Sequence, residues 1–168
     1  MPALDVEALV REYARPIHAY LWRLTGDAQV AEDCLQDTFL RAVRAAASGT
    51  QVAQPRAWLY AVATNSARDH ARKASRRLQR EQLLDSDLVD RSDAPPEAAA
   101  RSDQLRRVAD AVRRLPPKQR AALLMRKYQE LDYDEVAAAL DCSPATARAN
   151  VYQALRRLRA WLSDEEEA

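Results

Sequence analysis

In the last third of the chain, Ala145, Arg148, Ala149, Tyr152, Arg156 and Arg159 recur at intervals of about three to four residues. A guanidinium is a planar fork of N–H donors, always charged, that fits either the edge of a guanine or the oxygens of a phosphate. Arginines repeated along one side of a helix therefore offer hydrogen bonding to a polyanion rather than bond-breaking chemistry. The residues that must position them lie behind. Ala147, Val151, Ala154, Leu155, Leu158 and Leu162 share one apolar face at helical spacing. Ser143 is a natural N-cap and Pro144 suits a first helical position, where its missing N–H costs nothing.

A second, shorter helix is predicted just upstream. Asp132 can cap it, and Asp134 and Glu135 in its first turn oppose the helix dipole. Val136, Ala137 and Leu140 form its buried face, and the pattern breaks at Asp141-Cys142. A short helix, a tight turn and a longer helix that is apolar behind and basic in front make a helix-turn-helix candidate. Glycine is common in such a turn; Asp141 stands here, and Asp tolerates the left-handed conformation better than most residues. On periodicity alone an amphipathic hairpin with solvated arginines fits equally well.

The rest of the composition narrows the class. Two glycines in 168 residues, abundant Ala, Leu and Arg, and no sustained apolar-polar alternation predict an all-α protein. No apolar run approaches the ~20 residues that cross a bilayer, and no basic start leads into an apolar core. A cytoplasmic protein with no membrane insertion is expected. Cys34 and Cys142 are far apart, and His18 and His70 are isolated, so buried thiols are expected rather than a disulfide or metal site. There is no glycine-rich phosphate loop, no nucleophile beside a base and no metal-ligand spacing. Neither enzymatic activity nor a cofactor is expected.

The net charge of +1 conceals strong patterning. Residues 56–80 carry seven bases against Asp69 alone, and residues 105–162 carry twelve bases against six acids. Between them, residues 81–104 hold seven acids and two arginines; residues 163–168 add four more acids. Two basic segments separated by an acidic one predict two polyanion-binding surfaces on separate modules.

Taken in order, residues 4–24 predict a first helix with Leu9, Val10, Tyr13, Ile17, Leu21 and Leu24 spaced for burial. Pro16 predicts a kink or break in it. Thr25-Gly26 ends this helix and Asp27 can cap the next, about 28–46, with Ala31, Cys34, Leu35, Thr38 and Ala42 inward. Its outer surface is acidic, with extra apolar area from Phe39, Leu40 and Val43 suited to packing or to a partner. A polar loop, 48–54, leads to Pro55 and a third helix whose core side holds Trp58, Leu59 and Val62. Its later residues Asn65, Arg68, Asp69, Arg72 and Lys73 could lie along a nucleic-acid backbone. After the acidic linker, Leu105, Val108, Val112 and Leu115 mark a fourth helix, and Pro116-Pro117 opens a fifth through Leu123, Leu124 and Tyr128.

AEDCLQDTFLRAVRA (31–45) and PRAWLYAVATNSARDHARK (55–73) in the first half, with LPPKQRAALLMRKYQELDYDEVAAAL and SPATARANVYQALRRLR in the second, resemble the extracytoplasmic-function (group IV) RNA polymerase sigma factors of the sigma-70 family. The likeness covers most of the chain outside the linker, in two modules in the right order. It implies two small helical domains, a region 2 bundle (1–80) and a region 4 helix-turn-helix domain (105–163), joined by a flexible acidic linker (81–104) and followed by an acidic tail (164–168).

The resemblance implies roles residue by residue. Asp33, Gln36, Asp37 and Arg41 match the motif that binds the beta-prime clamp helices of core RNA polymerase, whose beta flap is a further implied partner. Ser48, Gly49, Thr50 and Gln51 fall in the loop that captures an unstacked base of the minus-ten element. Asn65, Arg68, Arg72 and Lys73 suit the helix that follows that strand, with Asp69 as a helix-positioning residue. Pro144, Ala145, Thr146, Arg148, Ala149, Tyr152 and Gln153 fall on the helix that reads the minus-thirty-five element of promoter DNA. An anti-sigma factor is the remaining implied partner. The chain departs from the usual pattern at Asp141, Ala147 and Ala149, which bears on base preference rather than fold.

A stand-alone regulator is the competing reading, with the second half on an operator and the first half sensing or dimerising. The acidic motif followed by a basic helix argues against it, because a sensor has no use for a second polyanion surface. Reach is compatible with the sigma-like reading. A linker of ~24 residues extends up to ~80 Å, against ~70 Å for two turns of duplex.

Overall fold

The computed structural model describes residues 3–82 and 103–167. They form α1 (Val6–Thr25), α2 (Ala28–Ala47), α3 (Pro55–Gln82), α4 (Asp103–Arg114), α5 (Pro117–Lys127), α6 (Tyr133–Leu140) and α7 (Pro144–Glu167), with no strand among the described residues. The all-α expectation holds. None of these helices is long and apolar enough to cross a membrane. Most of the expected linker, residues 83–102, lies outside the described residues, but both of its ends are helical. So is the expected acidic tail as far as Glu167, since Asp164 continues the turns begun upstream.

Local chemistry sets the helix ends. The Asp5 carboxylate accepts the Ala8 N–H at 3.1 Å, and Asp27 accepts those of Gln29 and Val30 at 2.9 and 3.1 Å. Gly26 ends α1 at φ 71 with its N–H on the Trp22 carbonyl. That left-handed conformation favours glycine, and a Cβ there would also come within 2.9 Å of the Arg113 side chain. Pro16 lies inside α1 without ending it, so of the expected kink or break the break does not occur. The ring forfeits one backbone hydrogen bond, but Ile17, Tyr20 and Leu21 just beyond it are fully buried. Each such side chain contributes ~1.5–3 kcal/mol, enough to hold the helix through the proline.

The α1–α2–α3 half packs around Ile17, Tyr20, Leu21, Ala31, Leu59 and Tyr60. Tyr20 and Tyr60 meet edge to face, with centroids 5.3 Å apart. Thr64 donates to the Tyr60 carbonyl at 2.6 Å, so the Tyr20 hydroxyl, 2.8 Å away, donates to Thr64. Burial pushes the Tyr20 phenol well above its ordinary range. Cys34 is buried, as expected, and burial raises its pKa too. Cys142 is only half-buried, because it sits in the turn before α7 rather than on a packed face.

In the other half, α5, α6 and α7 enclose Ala122, Leu124, Met125, Leu131, Val136 and Val151. Leu105, expected inward, is 55% exposed. Burial on α4 is confined to Ala111 and Val112 near its C-terminal end, leaving the first turn beyond the packed surface. Tyr128, expected within α5, is instead its exposed C-cap.

The two halves are packed on one another, which the linear pattern did not anticipate. α3 lies against α6, and α1 against α4 and α5, so the buried apolar residues form one continuous cluster. Polar contacts close the seam. Arg56 of α3 donates to the Gln129 carbonyl at 2.6 Å and reaches the Glu135 carboxylate at 3.3 Å, while Tyr60 donates to the Gln129 side chain at 2.9 Å. Arg120 of α5 donates to the Leu24 carbonyl at the end of α1 at 3.0 Å. Burial, with nearby Arg113, holds its pKa below the usual arginine value.

Candidate nucleic-acid interface

The helix-turn-helix is assembled by its caps. Asp132 accepts the Glu135 N–H at 2.8 Å and the Glu135 carboxylate accepts the Asp132 N–H at 2.9 Å, a reciprocal capping box. Asp141 adopts φ 51, ψ 54, the left-handed conformation asked of it in place of glycine. The Ser143 hydroxyl accepts the Thr146 N–H at 3.1 Å and starts α7. Ala147, Val151, Ala154 and Leu158 then turn inward.

Pro144, Ala145, Thr146, Arg148, Ala149, Tyr152 and Gln153 consequently share the exposed side of α7, with Tyr152 64% exposed. Gln153 is partly engaged, since its amide oxygen accepts from Gln119 of α5 at 3.0 Å. The guanidinium carbon of Arg148 lies over the Tyr133 ring, 4.8 Å from its centre. Seven exposed residues on one side of α7, hydrogen-bonding groups and small side chains among them, with α5 and α6 packed behind, can enter a major groove.

The second surface lies on α2, α3 and the loop between them. Ser48, Gly49, Thr50 and Gln51 are all exposed. The loop is shaped by Gly49 at φ 69 and by a 2.8 Å hydrogen bond between the Ser48 and Thr50 hydroxyls. On α3, Asn65, Arg72 and Lys73 are exposed, whereas Arg68 is half-buried. Arg68 lines a cleft of about 340 Å³ between the halves with Leu24, Val30, Ala67, Pro117 and Arg120.

The acidic face of α2 is braced by α3 rather than free. Asp37 accepts from Ser66 at 3.1 Å and lies 3.6 Å from His70. Arg41 is 4.0 Å from Asp69, which gives Asp69 a positioning contact. Asp33 accepts from Gln29 one turn earlier at 3.0 Å, and Gln36 is exposed.

Sequence reasoning missed Arg56, Tyr60, Gln129 and Glu135 as partners across the seam, and Tyr133 as a platform for arginines. Nothing local could have revealed them, because Glu135 is already accounted for by the helix dipole and the partners of the others lie far away in the chain.

Comparison with known proteins divides the chain into the same two parts. Residues 9–77 match the model for Sigma-70 region 2, and residues 105–158 that for Sigma-70, region 4. The chain is 34% identical over 160 residues to the ECF RNA polymerase sigma factor SigL of Mycobacterium tuberculosis, covering 95% of this chain and 89% of that protein. The chain belongs to the ECF RNA polymerase sigma factors. It is also 31% identical to the ECF sigma factor SigE of Mycolicibacterium smegmatis over 97% of its own length, and spans 63% of that longer relative. The fold of this sigma factor is similar to that of RpoE from Bartonella quintana, solved in complex with the anti-sigma factor NepR. The TM-score is 0.76 at 24% identity, over 95% of this chain and 97% of that one.

Proposed function

We propose that this sigma factor is a promoter-specificity subunit without catalytic activity of its own. It binds core RNA polymerase through Asp33, Gln36, Asp37 and Arg41, and the minus-ten element through the Ser48, Gly49, Thr50 and Gln51 loop with Asn65, Arg68, Arg72 and Lys73. It reads the minus-thirty-five element through the exposed strip of α7. The observation that carries this reading is the pairing of a region 2 match with a region 4 match in one chain, each of which includes exposed basic residues. An anti-sigma factor is the proposed regulator, supported by the fold relative's complex with NepR.

The packed arrangement imposes a conformational step on this function. A compact chain of this length has a radius of gyration of ~15 Å and is therefore ~40 Å across. Two turns of duplex span ~70 Å. The α3–α6 seam therefore opens before one molecule touches both elements. Covalent geometry would allow the residues between α3 and α4 at most ~66 Å of reach, and the widths of the two halves add to that limit.

The test is reconstitution. Core polymerase with the sigma factor is expected to form a stable complex by gel filtration and to start transcripts at defined promoters that core alone ignores. Failure to bind core, with tight operator binding by the free chain, favours the stand-alone regulator instead.

A further inference from the structure

Tyr133 opens α6 and is not among the expected DNA-contacting residues, yet two arginines converge on it. Its half-buried ring packs against the apolar cluster. The guanidinium carbons of Arg126 and Arg148 lie 5.1 and 4.8 Å from the ring centre. Arg126 is also tied to the turn before α6, donating to the Leu131 carbonyl at 3.3 Å. The Arg148 side chain makes no hydrogen bond or ion pair among the described residues, and its guanidinium lies over the ring.

That difference gives the stack a purpose. A guanidinium held over a ring by cation–π attraction makes no hydrogen bond to it, so its N–H donors remain unspent. A long side chain already held in place loses less rotamer freedom when it meets its target. Arg126 on the same ring adds like charge close to Arg148, which favours any arrangement that presents Arg148 to acceptors. Tyr133 is the first residue of α6, whose start is set by the Asp132–Glu135 capping box.

We propose that Tyr133 is a positioning residue for Arg148. It sets the preference for the base pair that Arg148 reads although it stands on the other helix of the motif. The proposal rests on the reading of α7 as the minus-thirty-five helix.

The experiment compares the reconstituted polymerase carrying wild-type, Arg148→Ala, Tyr133→Phe, Tyr133→Leu or Tyr133→Met chains on promoters altered one base pair at a time in the minus-thirty-five element. Arg148→Ala is expected to flatten the preference at one position. Tyr133→Leu and Tyr133→Met, which keep apolar bulk but lose the π face, are expected to reduce discrimination at that same position about two- to five-fold. Discrimination elsewhere should stay as it was. Tyr133→Phe retains the stack and should restore the wild-type profile, which a purely structural hydroxyl would not allow. Combining Tyr133→Leu with Arg148→Ala should cost nothing further at that position.

Two outcomes overturn the proposal while leaving Arg148 as a base reader. One is unchanged discrimination in both Leu and Met variants. The other is sharper discrimination, which would make the ring a trap for Arg148. A uniform loss over all promoters with Arg148→Ala instead removes the base-reading role itself, and the proposal falls with it.

Discussion

Arg56 and Glu135 stand 79 residues apart in the chain, yet their charged groups meet at 3.3 Å across the seam between α3 and α6. Each has a second task. Arg56 also binds the Gln129 carbonyl, and Glu135 also closes the capping box of α6. The start of the helix-turn-helix and its docking on the other half are therefore joined through one carboxylate.

Removing that link should loosen the packed form. Arg56→Ala is expected to cost ~1.5–3 kcal/mol, the range for hydrogen bonds involving a charged group. Glu135→Gln keeps the cap, since Gln serves at that position, and should cost less. Small-angle scattering should show the radius of gyration of Arg56→Ala rising above the ~15 Å of a compact chain. An unchanged radius with strictly additive losses in the double variant would mean that apolar packing alone holds the seam.

The packed form also limits the free chain. Duplex carrying both promoter elements should bind it no more tightly than duplex carrying one, because simultaneous engagement is needed before two weak contacts reinforce each other. Fluorescence anisotropy with the three duplexes checks this. A gain of ten-fold or more from the second element would show that the seam opens without polymerase.

On α2, Gln36 is a cleaner probe than Asp37. Asp37 holds Ser66 and lies beside His70, so Asp37→Arg is expected to weaken core-polymerase binding and also to lower the thermal midpoint by a few degrees. Gln36→Arg places the same charge on the exposed surface and should weaken binding with the midpoint unchanged. Normal assembly of both variants with core, measured by gel filtration, would move the polymerase contact away from this face.

Alkaline pH should act on the Tyr60 contact. Burial pushes its phenol from 10.0 up to about 12. A raised folded pKa means that this stability is fully present below pH ~10 and is lost as pH rises through about 12. Tyr20, raised in the same direction, adds to the fall. Thermal midpoints measured from pH 8 to 12 should drop over that window, and Tyr60→Phe should flatten part of the drop. An identical slope in Tyr60→Phe would assign the whole effect to other groups.

Much of this protein was legible in its sequence because the deciding interactions are short-range. Asp27, Asp132 and Ser143 cap helices within three residues of themselves, and Asp141 takes the left-handed turn that a helix-turn-helix requires there. The exposed strip of α7 followed from the three-to-four spacing of the residues behind it. What tertiary structure alone decided are matters of which surfaces meet. Periodicity marks a face as apolar without naming its partner, so the docking of α3 on α6 was not visible, nor was the reason that Leu105 stays outside while Pro16 is carried within an unbroken helix. Likewise the sequence marks Arg56 only as one base of a basic segment and Glu135 as a first-turn carboxylate, and nothing in the local pattern singles out Tyr133. Their roles arise from side chains brought together over long separations, where no local spacing rule applies and only the packed fold sets the distance.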